Sequence, residues 1–510
     1  VKLKQGMQTG RIEMAKKEKQ VYPRTRKEML RIMKAADKKG QLLQTVLEEF
    51  AKHPFSMPAL WDSREYFFAI KQEACSHPVL IPHLALLSAM AGRLDEAKDY
   101  VAILGKTPHH FAPQDLTQND FYRIIAELVM PYTRDFTFLR IAFCLVKAGA
   151  VPVQSLTLSA CRPSLINGFR DFTRFGPRLE RYRDTVVELA EKLYGSGGKG
   201  VYEIALAEWN YQNNDCFQAL VLVTGTIPLM EQEQDMRCLF VALALQMRIL
   251  LMNGQTRTAK PLVEKIRERI QETGWEELTS SLNALACLAA CYDGRRDEVE
   301  QWLENTAPDE NKGIFTMDMY AYLVKVRCYL QMGRYMVAHV LVKQLIALLV
   351  LGNRPMDLCT CYMLSAIICL KAHDKKHLVE ELDKALALAK QYHYLRLLAD
   401  EGNCMVQMLL VYQQERGADE FTAQVMALAS QVGRYFPDYL KSPAEYYEPL
   451  TATEKAVLQL MAQGFSNDEI ADRMGKKTGT IKFHSNNIFR KLRVQNRQQA
   501  VNRGRKIGVL

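Results

Sequence analysis

Asn214, Gly254, Gly294, Gly333 and His373 stand 40, 40, 39 and 40 residues apart in this 510-residue chain. No other feature restricts the fold so strongly. Each marks a break in an apolar pattern that otherwise recurs at three- and four-residue intervals, the period of an amphipathic helix. Five residues after each break comes an apolar residue, small in most cases: Ala219, Ala259, Val299, Ala338 and Leu378. Four further on come Val223, Val263, Leu303, Val342 and Leu382. An earlier segment fits the same frame at Gly92, Ala97 and Val101. The spacing predicts a helix, a turn at a residue that tolerates unusual dihedrals, and a second helix whose small residue packs closely on the first.

One such hairpin cannot bury its own apolar face, so successive hairpins must stack into a superhelix. Almost nothing between residues 40 and 440 reads as strand, and the expected fold class is all-α. The repeat is similar to tetratricopeptide (TPR) repeats, lengthened from about 34 to about 40 residues. A TPR-like α-solenoid body is therefore expected, with an N-terminal helical region over 40–192 and a regular array over 201–440. Between them, residues 193–200 read LYGSGGKG, which predicts a flexible connector. A phosphate-binding loop would place Ser or Thr after its Lys, where this chain has Gly200, and a strand before it.

Other function classes lose ground on composition. An apolar fraction of 48% with 24% charged residues describes an ordinary globular chain. No apolar run approaches the roughly 18 residues of a membrane span, and the first 20 residues lack the apolar core of a signal peptide. The expected location is cytoplasmic. Residues 1–39 read as a basic, partly disordered N-terminal arm. The 12 cysteines show no paired C-x-x-C spacing, and Cys287 and Cys291 lie in an apolar helical run. They are expected to be buried thiols, with no metal and no cofactor. No catalytic motif such as H-E-x-x-H or G-x-S-x-G occurs, so an enzyme is not expected.

Charge isolates the C-terminus. Residues 450–510 carry 12 Lys+Arg against 4 Asp+Glu, a net of +8, whereas the whole chain is +10. A small basic unit on a nearly neutral body is the electrostatic footprint of nucleic-acid binding. Three prolines in FPDYLKSPAEYYEPL mark a linker over 437–449.

Within 450–510, Thr451/Glu454 and Ser466/Glu469 form two capping boxes, each opening a short helix. A third helix runs from about Gly479 to Leu492, and a fourth follows Asn496 as N-cap. On the third, Ile481, Ser485, Ile488 and Leu492 make one stripe suited to packing. Gly479, Lys482, Phe483 and Asn486 make another suited to the major groove of double-stranded DNA. Asn486 can pair with adenine, Lys482 can reach guanine acceptors, and Phe483 can touch a thymine methyl. Ser466, Asn467, Lys477, Thr480, His484, Arg490 and Lys491 are expected phosphate contacts.

The order LT-x-x-E-x-x-VL, G-x-SN-x-EIA, T-I-K-x-H, I-x-x-KL-x-V-x-NR-x-x-AV, over Leu450 to Val501, closely resembles the LuxR-type helix-turn-helix domain. The resemblance implies a four-helix, DNA-binding domain that dimerises through its fourth helix. Asn496, Arg497, Ala500 and Val501 are then candidates for the contact of a homodimer on an inverted repeat. Lys476 and Lys477 replace the aliphatic residue and capping Ser usual in that family, so Thr478 is an alternative cap and the recognition register stays open by one residue. The wider chain resembles the MalT-like (LAL) group of regulators in its repeats and in segments such as DEVEQWL and LRLLADEGN. That group normally begins with an ATP-binding domain absent from this sequence. A truncated chain and a shortened member both remain open, and ATP control is not carried over. The resulting expectation is a transcription regulator whose body senses a small molecule or a protein. A scaffold that binds DNA without sequence preference is the alternative.

Overall fold

The computed structural model describes residues 26–52, 57–105, 117–130, 162–168, 170–232, 236–255, 258–435, 450–492 and 494–506. The linker expected at 437–449 lies outside them, and so do residues 1–25 of the N-terminal arm. The chain divides into a body and a C-terminal unit.

The described residues contain helices and turns with one isolated bridge between Asn167 and Asp171. The N-terminal part of the body comprises α1 (Arg26–Lys38), α2 (Leu42–Lys52), α3 (Met57–Asp62), α4 (Arg64–Ala69), α5 (Lys71–Ala74), α6 (Ile81–Met90), α7 (Leu94–Ile103) and α8 (Gln118–Val129). Residues 26–38, expected within a partly disordered arm, are helical because Met29, Met33 and Ala36 recur on one face and are buried. All ten residues of α6 are buried, as befits a helix apolar all round. It is the axis of this part's core, with Leu60, Phe67, Ala97 and Ile124 around it.

The regular array follows α9 (Arg183–Tyr194) as five hairpins: α10 (Val201–Gln212) with α11 (Cys216–Glu231), α12 (Met236–Met252) with α13 (Ala259–Thr273), α14 (Thr279–Tyr292) with α15 (Arg296–Asn305), α16 (Met319–Gln331) with α17 (Tyr335–Leu351), and α18 (Pro355–Lys371) with α19 (Lys375–Tyr392). A short α20 (Leu395–Ala399) precedes a last pair, α21 (Asn403–Arg416) and α22 (Glu420–Val432). Every turn residue singled out by the spacing has a left-handed backbone: φ is 76° at Gly92, 69° at Asn214, 80° at Gly254, 72° at Gly294 and Gly333, and 58° at His373. Ala97, Ala219, Val299, Ala338 and Leu378 are buried, as are Val223, Val263, Val342 and Leu382. The frame slips once. In α15 Trp302 is buried and Leu303 only half-buried, because the ten-residue helix turns its larger side chain inward.

The glycine-rich segment is a packed corner. Gly195–Gly198 forms a 3-10 turn, and a Cβ on Gly198 would lie 2.2 Å from the Ala190 carbonyl oxygen. Glycine is required there for close approach, which composition alone reads as flexibility.

Polar groups tie irregular chain to the repeats. The Glu208 carboxylate of α10 accepts from Ser164 Oγ and the Leu165 amide, both at 2.7 Å. Asp357 of α18 pairs with Arg162 at 2.7 Å and Arg354 at 2.8 Å, and accepts from Asn167 Nδ2 at 2.8 Å. The 395–401 corner spans more distant repeats: Asp400 accepts from Tyr211 of α10 at 2.7 Å and Arg248 of α12 at 2.8 Å, while Glu401 accepts from Arg327 of α16 at 2.6 Å. Among the described residues, no helix is long and apolar enough to cross a membrane.

Candidate nucleic-acid interface

The C-terminal unit has its own core and four helices: α23 (Ala452–Ala462), α24 (Asn467–Met474), α25 (Thr478–Lys491) and α26 (Arg497–Lys506). Both capping boxes form. Thr451 N donates to Glu454 Oε2 at 2.8 Å and Ser466 N to Glu469 Oε2 at 2.7 Å, with the reciprocal amide bonds at 3.2 and 3.4 Å. These bonds satisfy amides that a helix start leaves without partners. Gly475, with φ 64°, ends α24 and sets up the turn into α25.

α25 starts at Thr478, with Lys477 at the N-cap position and no side-chain cap. Thr478 is therefore the first helical residue, not the cap. Its hydroxyl donates instead to Asp468 Oδ1 at 2.8 Å, joining the starts of α24 and α25.

The two stripes of α25 separate as their residue types require. Ile481, Ser485, Ile488 and Leu492 are buried against Val457, Leu458, Met461, Ile470 and Ala471. The one polar member, Ser485, donates its hydroxyl to the Ile481 carbonyl at 2.7 Å. On the other side Gly479, Lys482, Phe483 and Asn486 are all exposed. Phe483 is 62% exposed, a large ring standing in solvent beside His484. Nothing lies within 4 Å of the position a Cβ would take on Gly479. The domain itself therefore gives no steric reason for a glycine that costs the helix up to about 1 kcal/mol relative to Ala.

Of the expected phosphate contacts, Ser466, Lys477, Thr480 and Arg490 are exposed, and Asn467 and His484 half-buried. Lys491 is engaged within the domain: its ammonium lies 2.7 Å from Glu454 Oε2, with side-chain exposures of 14% and 4%. Burial alone would raise the Glu454 carboxyl, but the Lys491 ammonium and the Thr451 amide outweigh it and hold it below its ordinary value.

The four residues expected at a dimer contact have different surroundings. Ala500 and Val501 are buried in the domain's own core. The Arg497 guanidinium donates to the Met461 carbonyl at 2.9 Å and to the Phe465 carbonyl, closing the end of α23. Asn496 is exposed and its Oδ1 caps α26 by accepting from the Gln499 amide at 2.9 Å. Sequence alone does not reveal the inward turn of Arg497, since its partners are carbonyls more than thirty residues away. The outward face of α26 is polar, with Gln498 and Asn502 exposed.

Residues 448–503 match the family described as bacterial regulatory proteins, luxR family. The C-terminal unit is a luxR-family domain. Residues 190–415 match the MalT-like TPR region, so the five hairpins carry that family's repeat. The response regulator protein VraR of Staphylococcus aureus is 48% identical to this chain over 62 residues, which are 12% of this chain and 30% of the relative. Its counterparts in Staphylococcus saprophyticus and Staphylococcus epidermidis match to the same extent. The chain thus spans about 30% of the length of these curated relatives.

Proposed function

We propose that this chain is a sequence-specific DNA-binding transcription regulator, and that α25 is its reading helix. The observation that carries the reading is the exposed set Gly479, Lys482, Phe483 and Asn486 on a helix whose opposite stripe is locked in the core of a unit of net charge +8. A helix held this way presents its side chains to base edges without losing its place in the fold. Lys482 and Asn486 supply donors for the major groove and Phe483 an apolar surface. Gly479 lets the helix start approach the duplex closely. Ser466, Asn467, Lys477, Thr480, His484 and Arg490 position the domain on phosphates.

In this reading two copies bind an inverted repeat, because two weak half-site contacts held in one dimer add their affinity. Asn496, Gln498 and Asn502 on the outward face of α26 form the dimer contact, with Ala500, Val501 and Arg497 holding that helix in place. The repeat body senses a small molecule or a protein, as a cytoplasmic regulator requires. The support is the corner at Asp400 and Glu401, which joins side chains from three separate hairpins. A ligand that moved one such corner would shift several repeats together. The test is promoter binding by the full chain with Lys482→Ala and Asn486→Ala variants. Loss of base preference at defined positions supports the reading; unchanged preference counts against it.

A further inference from the structure

Cys287 and Cys291 stand one turn apart on α14, and Cys328 meets them from α16. All three are buried. The repeat brings them together: α14 and α16 are the first helices of successive hairpins, so positions about 40 residues apart stack on each other. Cys328 Sγ lies 3.4 Å from Cys287 Sγ and 3.7 Å from Cys291 Sγ, and all three sulfurs fall within 4.8 Å of one another. Three sulfurs bound to one centre at about 2.3 Å would lie roughly 3.4 to 4.0 Å apart, depending on how pyramidal the unit is. Thiols that serve only as small apolar groups have no need to converge on one point.

The surroundings select the guest. Among the described residues no His, Asp or Glu joins the three sulfurs, whereas a closed zinc site takes four ligands. Three thiolates carry three negative charges, and burying uncompensated charge is costly. A cuprous ion would leave two of those charges and zinc one, while a trivalent centre leaves none. The Arg327 guanidinium, next in sequence to Cys328, is already engaged by Glu401 at 2.6 Å.

We propose that Cys287, Cys291 and Cys328 form a three-thiol binding site for a trivalent, thiophilic metalloid of the arsenite class. Arsenous acid, As(OH)3, exchanges its three hydroxyls for three thiolates. Three As–O and three S–H bonds break, three As–S bonds form, and the protons leave with the hydroxyls as three waters. Arsenic stays trivalent and no sulfur is oxidised. Because the site is buried, loading proceeds through local opening between α14 and α16. The site stands independently of the DNA-binding reading.

The reduced full chain is incubated anaerobically with sodium arsenite and desalted, and bound arsenic is counted and examined by X-ray absorption. One retained equivalent per chain with three sulfur neighbours and no oxygen is expected. Cys328→Ala and Cys291→Ala should each weaken retention at least tenfold, while the double change Cys359→Ala and Cys361→Ala leaves it intact. Circular dichroism checks that each variant folds. If one does not, arsenite protection of the wild-type cysteines from alkylation decides, and it should fall on Cys287, Cys291 and Cys328. No retained arsenic, oxygen in its shell, protection at other cysteines, or preferential retention of zinc or cuprous ion from a mixture would overturn the assignment.

Discussion

Lys491 closes α25 against the start of α23 by placing its ammonium 2.7 Å from Glu454 Oε2. Glu454 thereby has two tasks, since the same oxygen accepts the Thr451 amide of the capping box. α25 and the first helix of the domain are held through one carboxylate.

Glu454→Gln keeps a capping side chain but leaves the Lys491 ammonium without its charge partner. The expected loss is about 1–3 kcal/mol, less than for a wholly buried pair because Lys491 retains some access to water. The sign of the pH dependence follows from the lowered carboxyl. A folded-state value below the ordinary 4.5 contributes stability that is present above 4.5 and lost as pH falls through the folded value. Urea midpoints of the C-terminal unit, measured from neutral to acid pH, should show wild type and Glu454→Gln converging at the acid end.

Gly479→Ala separates folding from reading. With open space where the Cβ would go, the change should raise the stability of the domain by up to about 1 kcal/mol. The added methyl would stand toward the duplex, so DNA affinity should fall. Thermal melting and DNA titration of the same preparation check both halves, and a variant that loses both would contradict the placement of α25.

Base readers and phosphate contacts should fail differently. Asn486→Ala and Lys482→Ala are expected to cost about 1–3 kcal/mol on the preferred sequence and to relax preference at one position each. Lys477→Ala should weaken all sequences alike and lower the salt slope by about one. Titrations at several salt concentrations distinguish the two patterns.

In the body, Asp357 is buried between Arg162 and Arg354, and their guanidiniums hold its carboxyl well below the usual range against the effect of burial. Asp357→Ala removes the carboxylate that two buried guanidiniums share and should destabilise the body by about 3–5 kcal/mol. Arg416→Ala, which breaks the exposed pair with Asp383 but leaves the Tyr412 hydroxyl bonded to that carboxylate, should cost under about 1 kcal/mol. Urea unfolding of both variants measures the contrast.

Some of this is legible in the residues and some is not. The turns at Asn214, Gly254, Gly294, Gly333 and His373 could be read because a left-handed backbone restricts residue type locally. The buried stripe of α25 was legible from its spacing for a similar reason. Gly198 is ambiguous in sequence because close packing and flexibility both select glycine. Lys491 and Arg497 look like surface cations in sequence, and only their distant partners turn them inward. The three-thiol cluster leaves no C-x-x-C signature because its third sulfur comes from the next hairpin, 37 residues after Cys291.

The most direct test of the central claim is selection of bound sequences from a random duplex library by the full chain and by residues 445–510 in parallel. The account predicts one inverted-repeat motif shared by both, bound more tightly by the full chain. Recovery of no motif from either, with binding that depends on salt alone, would contradict it and favour a scaffold held on DNA by charge.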